Sequence, residues 1–190
     1  MKKIISLFKR DYEGNRQVFD EVVEGAEWVV AGEGAPTEKI DGTCCLIENG
    51  KLFKRYEVKK GKKAPPDFVA ASDVDPNTGK QQGWRPVGDG PEDKWHREAW
   101  SNTDDGVRAD GTYELVGPKV QGNPYSLSGH GLWRHGGVVL SEATPRTFEG
   151  LKEFFAETNI EGIVWHHPDG RMVKIKKRDF GFKWPEPSDD

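Results

Sequence analysis

Cysteine is nearly absent from this chain. Among its 190 residues only Cys44 and Cys45 are cysteine, and they are adjacent. Neighbouring cysteines give neither a disulfide framework nor a zinc quartet, so both are read as strand residues in a reduced, cytoplasmic setting. Long apolar runs are missing as well: no stretch approaches the roughly 20 residues that a membrane-spanning helix needs. The lead Met1-Lys2-Lys3-Ile4-Ile5 is too short an apolar stretch for a signal peptide. The third absence is a basic excess. Against 32 Asp and Glu stand 28 Lys and Arg, a net charge of −4, which excludes indiscriminate coating of nucleic acid, since non-specific affinity comes from neutralised phosphates. Any grip on a polynucleotide has to be local. Cations do cluster over Lys51–Lys63 and again over Lys174–Arg178, with a solvated basic face as the alternative reading.

With 34% hydrophobic residues the chain can build a core, and one domain is expected over residues 1–184. The proline-rich acidic end, 185–190, should fray. Gln17–Val23 carries a short amphipathic pattern, and Trp28-Val29-Val30 reads as a strand. Thr43–Glu48 and Lys51–Glu57 flank Asn49-Gly50, the strongest short hairpin signal. Pairing Glu48 with Lys51 sets Cys44 opposite Arg55 and leaves Lys54 on the other face. Residues 61–100 form a loop-rich insertion. Asp73-x-Asp75-x-Asn77 lacks the spacing of a calcium loop and is read as a turn. Trp84, Trp95 and Trp100 in this segment either stack on unpaired bases as a lid or pack the loop onto the core. Gly111–Gly117 alternates as a strand with Glu114 facing away from Tyr113 and Leu115. Gly131–Leu140 reads as another strand, and His130 and His135 as surface residues, with a metal site as the alternative reading. Thr147–Asn159 reads as a helix capped by Thr147. A second hairpin pairs Glu161–Trp165 with Arg171–Lys176, putting Lys174 and Lys176 on one face.

Chemistry enters at Glu38-Lys39-Ile40-Asp41-Gly42-Thr43. A lysine amine attacks phosphorus only as the free base, and Lys responds readily to nearby cations or burial. Asp41 would help hold a metal, and Gly42 lets backbone approach a ligand. Alone, the stretch is equally a solvated turn into a strand. Two cations side by side, as at Lys174 and Lys176, are costly without an anion such as a phosphate between them.

In order, Lys39-Ile40-Asp41-Gly42, Tyr113-Glu114-Leu115-Val116-Gly117, Glu161-Gly162-Ile163-Val164 and Lys174-Ile175-Lys176 resemble the motifs of the covalent nucleotidyltransferases. This superfamily contains ATP-dependent DNA and RNA ligases and mRNA capping enzymes. The resemblance implies an α+β nucleotidyltransferase (ATP-grasp-like) fold, with two antiparallel sheets around a nucleotide cleft and helices outside. It implies Lys39 as nucleophile toward ATP, with Lys174 and Lys176 on the α-phosphate and Asp41 and Glu161 on Mg2+ or Mn2+. Glu38, Ile40, Arg55, Glu114 and Trp133 would complete the nucleotide contacts, Glu114 at the ribose and Trp133 against adenine. Pro118–Tyr125 resembles the continuation seen in some RNA ligases, which implies nicked or broken RNA with 5′-phosphate and 3′-hydroxyl ends. A DNA ligase, a capping-type enzyme and a non-catalytic RNA-binding module remain alternatives. The larger relatives carry an oligonucleotide-fold domain after the last motif. None is expected here, so a monomer is anticipated, with a partner protein supplying that function if it is needed.

Overall fold

The computed structural model describes residues 4–186. In chain order its elements are β1 (Ile5–Ser6), β2 (Phe8–Arg10), β3 (Val18–Val22), α1 (Glu27–Val30), β4 (Ala35–Lys39), β5 (Thr43–Glu48) and β6 (Lys51–Val58). There follow β7 (Val69–Ala70), β8 (Gln81–Pro86), α2 (Lys94–Asn102), β9 (Gly111–Val116), β10 (Gly131–Arg134), α3 (Phe148–Glu157), β11 (Gly162–His166) and β12 (Met172–Lys176). The architecture is α+β, and the chain divides into two compact units.

One unit holds Ile4–Ile40 and the chain from Gly136 onward. Its sheet has the order β1-β12-β11-β4. The expectation of wholly antiparallel sheets is corrected here, because β1 runs parallel to β12. The odd-numbered residues Ile163, Trp165, Val173 and Ile175 enter a core with Leu7, Phe8, Val29, Leu151 and Phe155. Leu151 and Phe155 are one helical turn apart on α3, which explains how that helix docks. Its first turn is capped as expected, the Thr147 hydroxyl accepting from Gly150 N at 3.3 Å. Two readings change. Gln17–Val23 is realised as strand β3, paired with β2. Trp28-Val29-Val30 is the helical turn α1, because burying both Trp28 and Val29 in the core outweighs the local β preference of a β-branched run.

The other unit, Asp41–His135, is a six-stranded antiparallel sheet ordered β10-β9-β5-β6-β8-β7. The β5–β6 turn is the expected one, with φ of 51° at Asn49 and 71° at Gly50, the pair of positive values a type I′ turn requires. Glu48 pairs with Lys51 and Cys45 with Lys54. Cys45, Ile47, Leu52, Tyr113, Leu115 and Leu132 form the core under this sheet, with Ala99 of α2. The segment 61–100 is less irregular than its composition implies, since β8 pairs with β6 over six positions and α2 follows. Asp75 does make a turn, its Oδ1 accepting from Asn77 N at 2.9 Å. The strand expected over 131–140 stops at Arg134. Beyond it, in the first unit, Glu38 N donates to Val138 O at 2.8 Å and Leu140 N to Pro36 O at 3.0 Å. No helix among the described residues is long and apolar enough to cross a membrane. Of the expected tail, 187–190 lie outside the described residues.

Candidate active site

The four-stranded sheet gathers most of the expected phosphate chemistry. Gly162 pairs with Lys39 on one side and Lys176 on the other, while Val164 pairs with Lys174. Paired residues share a face, so Lys39, Lys174 and Lys176 project together, opposite to Ile163 and Ile175. A Cβ on Gly162 would come within 2.4 Å of Ile175 O, so only glycine lets β11 lie this close to β12 behind the lysines. Glu161, 8% exposed, accepts from Lys39 Nζ at 2.6 Å. Burial is the main cause that pulls Lys174 below the usual lysine range, helped by the charges of Lys39 and Lys176 and opposed by Asp179 and Glu161. Asp179 fixes the end of β12 by accepting from Lys176 N at 2.8 Å, and Arg10 pairs with it.

Glu38 and Ile40, expected at the nucleotide, flank Lys39. Glu38 pairs with Ile163, so its side chain projects to the opposite face from Lys39, where burial pushes its carboxyl upward. Ile40 is buried, 6% exposed. Their backbone, rather than their side chains, lies beside Lys39.

The six-stranded sheet carries a second constellation in its own unit. Cys44 pairs with Glu114, and Glu114 with Trp133, so these three stand on one face, and alternation along β6 adds Arg55. Lys54, the alternative cation, is on the other face and is bound to Asp93 Oδ1 at 2.5 Å. The Arg55 guanidinium is held by Gln82 Oε1, 3.1 Å from its Nε, and lies over the Trp84 ring at 5.0 Å. The Trp133 ring meets Tyr125 at 4.8 Å, tilted by 47°. Tyr125 also accepts from Asp41 N at 2.6 Å, which anchors the Asp-Gly turn. Gly42 is obligatory in that turn: a Cβ there would sit 2.2 Å from Leu115 O.

Three residues of this face escaped the sequence reading. Tyr125 was noted only as part of a loop. His135, taken as a surface residue, places Nε2 2.5 Å from Glu114 Oε2 and Nδ1 2.9 Å from Thr112 Oγ1. Cys44, taken as an ordinary strand residue, lies beside them. His130 is also no surface residue: it is 3% exposed and its ring stacks on Trp95 at 4.6 Å. The tryptophans of 61–100 favour the packed alternative to the lid reading. Trp84 is 5% exposed, Trp95 lies between His130 and the Lys94 ammonium, and the Arg108 guanidinium covers Trp100 at 4.3 Å. Their faces are already used within the chain.

A family model described as RNA ligase 1 matches residues 106–189. That span contains Glu114, Trp133, Glu161, Lys174 and Lys176. Proteins named RNA ligase 1 from Mus musculus and Danio rerio are 27% and 28% identical to the chain, each over 80% of it and 68% of the relative. The Rattus norvegicus protein of that name is 27% identical over the same shares.

Proposed function

From the RNA ligase-type domain that these matches support, we propose that the chain joins RNA ends through an adenylate carried on Lys39. The observation that carries this reading is the Lys39–Glu161 contact at 2.6 Å, set on the same face as Lys174 and Lys176. A nucleophilic amine beside a carboxylate and two further cations is the equipment for attack on a phosphate ester. The fold class this entails is the nucleotidyltransferase (ATP-grasp-like) type.

In the first step the Lys39 Nζ lone pair attacks the α-phosphorus of ATP, a P–N bond forms, and the bond to pyrophosphate breaks. The proton of the Lys39 ammonium passes to Glu161 Oε2 or through it to solvent. Lys174 and Lys176 offset charge on the α-phosphate; their mutual repulsion in the free protein becomes attraction once the anion arrives. In the other unit Glu114, Arg55 and Trp133 present on one face the kinds of group that a ribose hydroxyl, a phosphate and an adenine ring take. The RNA 5′-phosphate then takes the adenylyl group from Lys39, and a 3′-hydroxyl displaces AMP to seal the strand.

Glu161 offers the carboxylate oxygens that hard divalent cations prefer, and one cation, the Lys39 ammonium, already rests against it; Asp41 offers the same kind of donor in its own unit. A carboxylate of this kind fits Mg2+ or Mn2+. Such an ion would neutralise charge on the phosphates.

The test is incubation with ATP labelled at the α- or the γ-phosphate, followed by a nicked RNA and a nicked DNA of the same sequence. Label retained on protein from the α-position only, and sealing of the RNA in preference to the DNA, is the expected result. A non-catalytic RNA-binding module would bind RNA and take no label.

A further inference from the structure

Three side chains from distant parts of the sequence meet on one face of the six-stranded sheet: Cys44 of β5, Glu114 of β9 and His135 just past β10. One ligand atom from each lies within 4.8 Å of the other two. The strand register explains the meeting, since Cys44 stands directly opposite Glu114 and His135 N donates to Thr112 O at 3.1 Å, two residues before Glu114 on the same strand. The imidazole is oriented as well. Its Nδ1 is engaged by the Thr112 hydroxyl at 2.9 Å, which turns Nε2 toward the Glu114 carboxylate at 2.5 Å. Metal-bound histidines are held in this way, one ring nitrogen fixed by a neighbouring polar group and the other presented to the ion.

The donor set decides the class of ion. One sulfur, one nitrogen and one carboxylate oxygen suit a borderline cation such as Zn2+, whereas Mg2+ and Ca2+ take oxygen alone. The side chains of Glu114 and His135 are 12% and 25% exposed, so the cluster is open enough for an ion to enter and to keep a further ligand from solution. We propose that Cys44, Glu114 and His135 form a site for Zn2+ or a similar transition-metal ion, distinct from the Mg2+ or Mn2+ of the phosphate chemistry. The ion takes the place of the His135–Glu114 hydrogen bond, the neutral imidazole keeping its one ring proton on Nδ1 toward the Thr112 hydroxyl, and it displaces the proton of the Cys44 thiol to solvent. Cys45 takes no part. It points into the core, fully buried, and burial pushes its thiol far above the usual range. Binding of the ion also withdraws Glu114 from the ribose and so weakens nucleotide binding. That consequence rests on the proposed function; the metal site itself does not.

The experiment is titration of the reduced, metal-free full-length protein with Co2+, followed in the near ultraviolet for thiolate-to-cobalt charge transfer. One equivalent with a thiolate band is expected. Cys44→Ser should abolish the band, His135→Gln should weaken affinity at least tenfold, and Cys45→Ala should keep both. X-ray absorption on the Zn2+-loaded wild-type protein needs no variant and should find one sulfur at about 2.3 Å with nitrogen and oxygen neighbours. The site is refuted by an all-nitrogen-and-oxygen shell, by absence of the band in the wild type, or by a band that survives Cys44→Ser. Zn2+ should also reduce ATP labelling of the wild type and spare Cys44→Ser. If the band forms as expected while labelling is indifferent to Zn2+, the metal site stands and the ribose role of Glu114 falls.

Discussion

Replacing Lys174 with Met should stabilise the protein while destroying its chemistry. Lys174 and Lys176 are alternate residues of β12, about 6.6 Å apart at a strand rise of about 3.3 Å per residue. Two unit charges at that spacing repel by about 2.5 kcal/mol at an effective dielectric of about 20 and by about 0.6 kcal/mol in water. Lys39 adds repulsion, and Glu161 and Asp179 offset part of it. Met fills a similar volume without the ammonium, so a net gain of roughly 1 kcal/mol is expected, which for a domain of this size raises Tm by about 2–4 °C. Burial and the neighbouring cations depress the lysine's proton affinity relative to the unfolded chain, so the cost it imposes is full at neutral pH and disappears as pH rises toward the ordinary lysine value of 10.5. Calorimetry of wild type and Lys174→Met at neutral and alkaline pH reads both effects, and the difference in Tm should shrink at the alkaline end. Adenylylation by the variant should be lost at all pH values. A Tm that falls by a similar amount at neutral pH would mean that Glu161 and Asp179 outweigh the lysines, and the argument for a waiting phosphate site would fail.

Glu161→Ala should lose adenylylation in a way that excess Mn2+ partly restores by mass action, whereas Lys174→Ala should show no metal rescue; identical Mn2+ responses in a labelling assay would refute the division of roles. Trp84→Ala should lower stability by about 3–5 kcal/mol in urea unfolding, and a fully stable variant with slowed RNA sealing alone would restore the lid reading. Asp93 is buried, which acts to raise its carboxyl, but the Lys54 ammonium and the Gly88 N–H win and hold it below its ordinary value of 3.8. Its contribution to stability is therefore present above that value and lost as pH falls through the lower folded one. Asp93→Asn should flatten the acid limb of a Tm-against-pH curve, and an unchanged limb would contradict this.

The parts of the fold set by local chemistry were legible in advance. Asn49-Gly50 favours one kind of tight turn, Thr147 caps a strongly periodic helix, and alternation alone places Lys174 beside Lys176. Counting along strands also set Arg55 opposite Cys44 and turned Glu114 away from Tyr113 and Leu115, while Trp133 came from the resemblance alone. What stayed hidden depends on packing across sequence distance. Trp28 and Val29 score as strand, and only the core they enter makes α1 a helix. Trp84 looks like a free stacking residue until β8 joins β6 and sets it opposite Arg55, whose guanidinium lies over its ring. Gly131–Leu140 reads as one strand because it is mostly apolar, although Gly136-Gly137 is a local turn signal just past the point where β10 ends at Arg134. Spacing rules for metal ligands could not find Cys44, Glu114 and His135, because β5, β9 and the turn after β10 supply one each. The Glu38 contact was carried over with its motif, although strand periodicity alone turns its side chain away from that of Lys39.

The central claim is that Lys39 becomes covalently adenylylated, and peptide mass spectrometry of the protein after incubation with ATP and Mg2+ or Mn2+ tests it most directly. The account predicts an adenylyl adduct on the peptide containing Lys39, discharged when pyrophosphate or a 5′-phosphorylated nicked RNA is added, and absent from a folded Lys39→Ala variant. An adduct on another lysine, or undiminished adenylylation of Lys39→Ala, would contradict it.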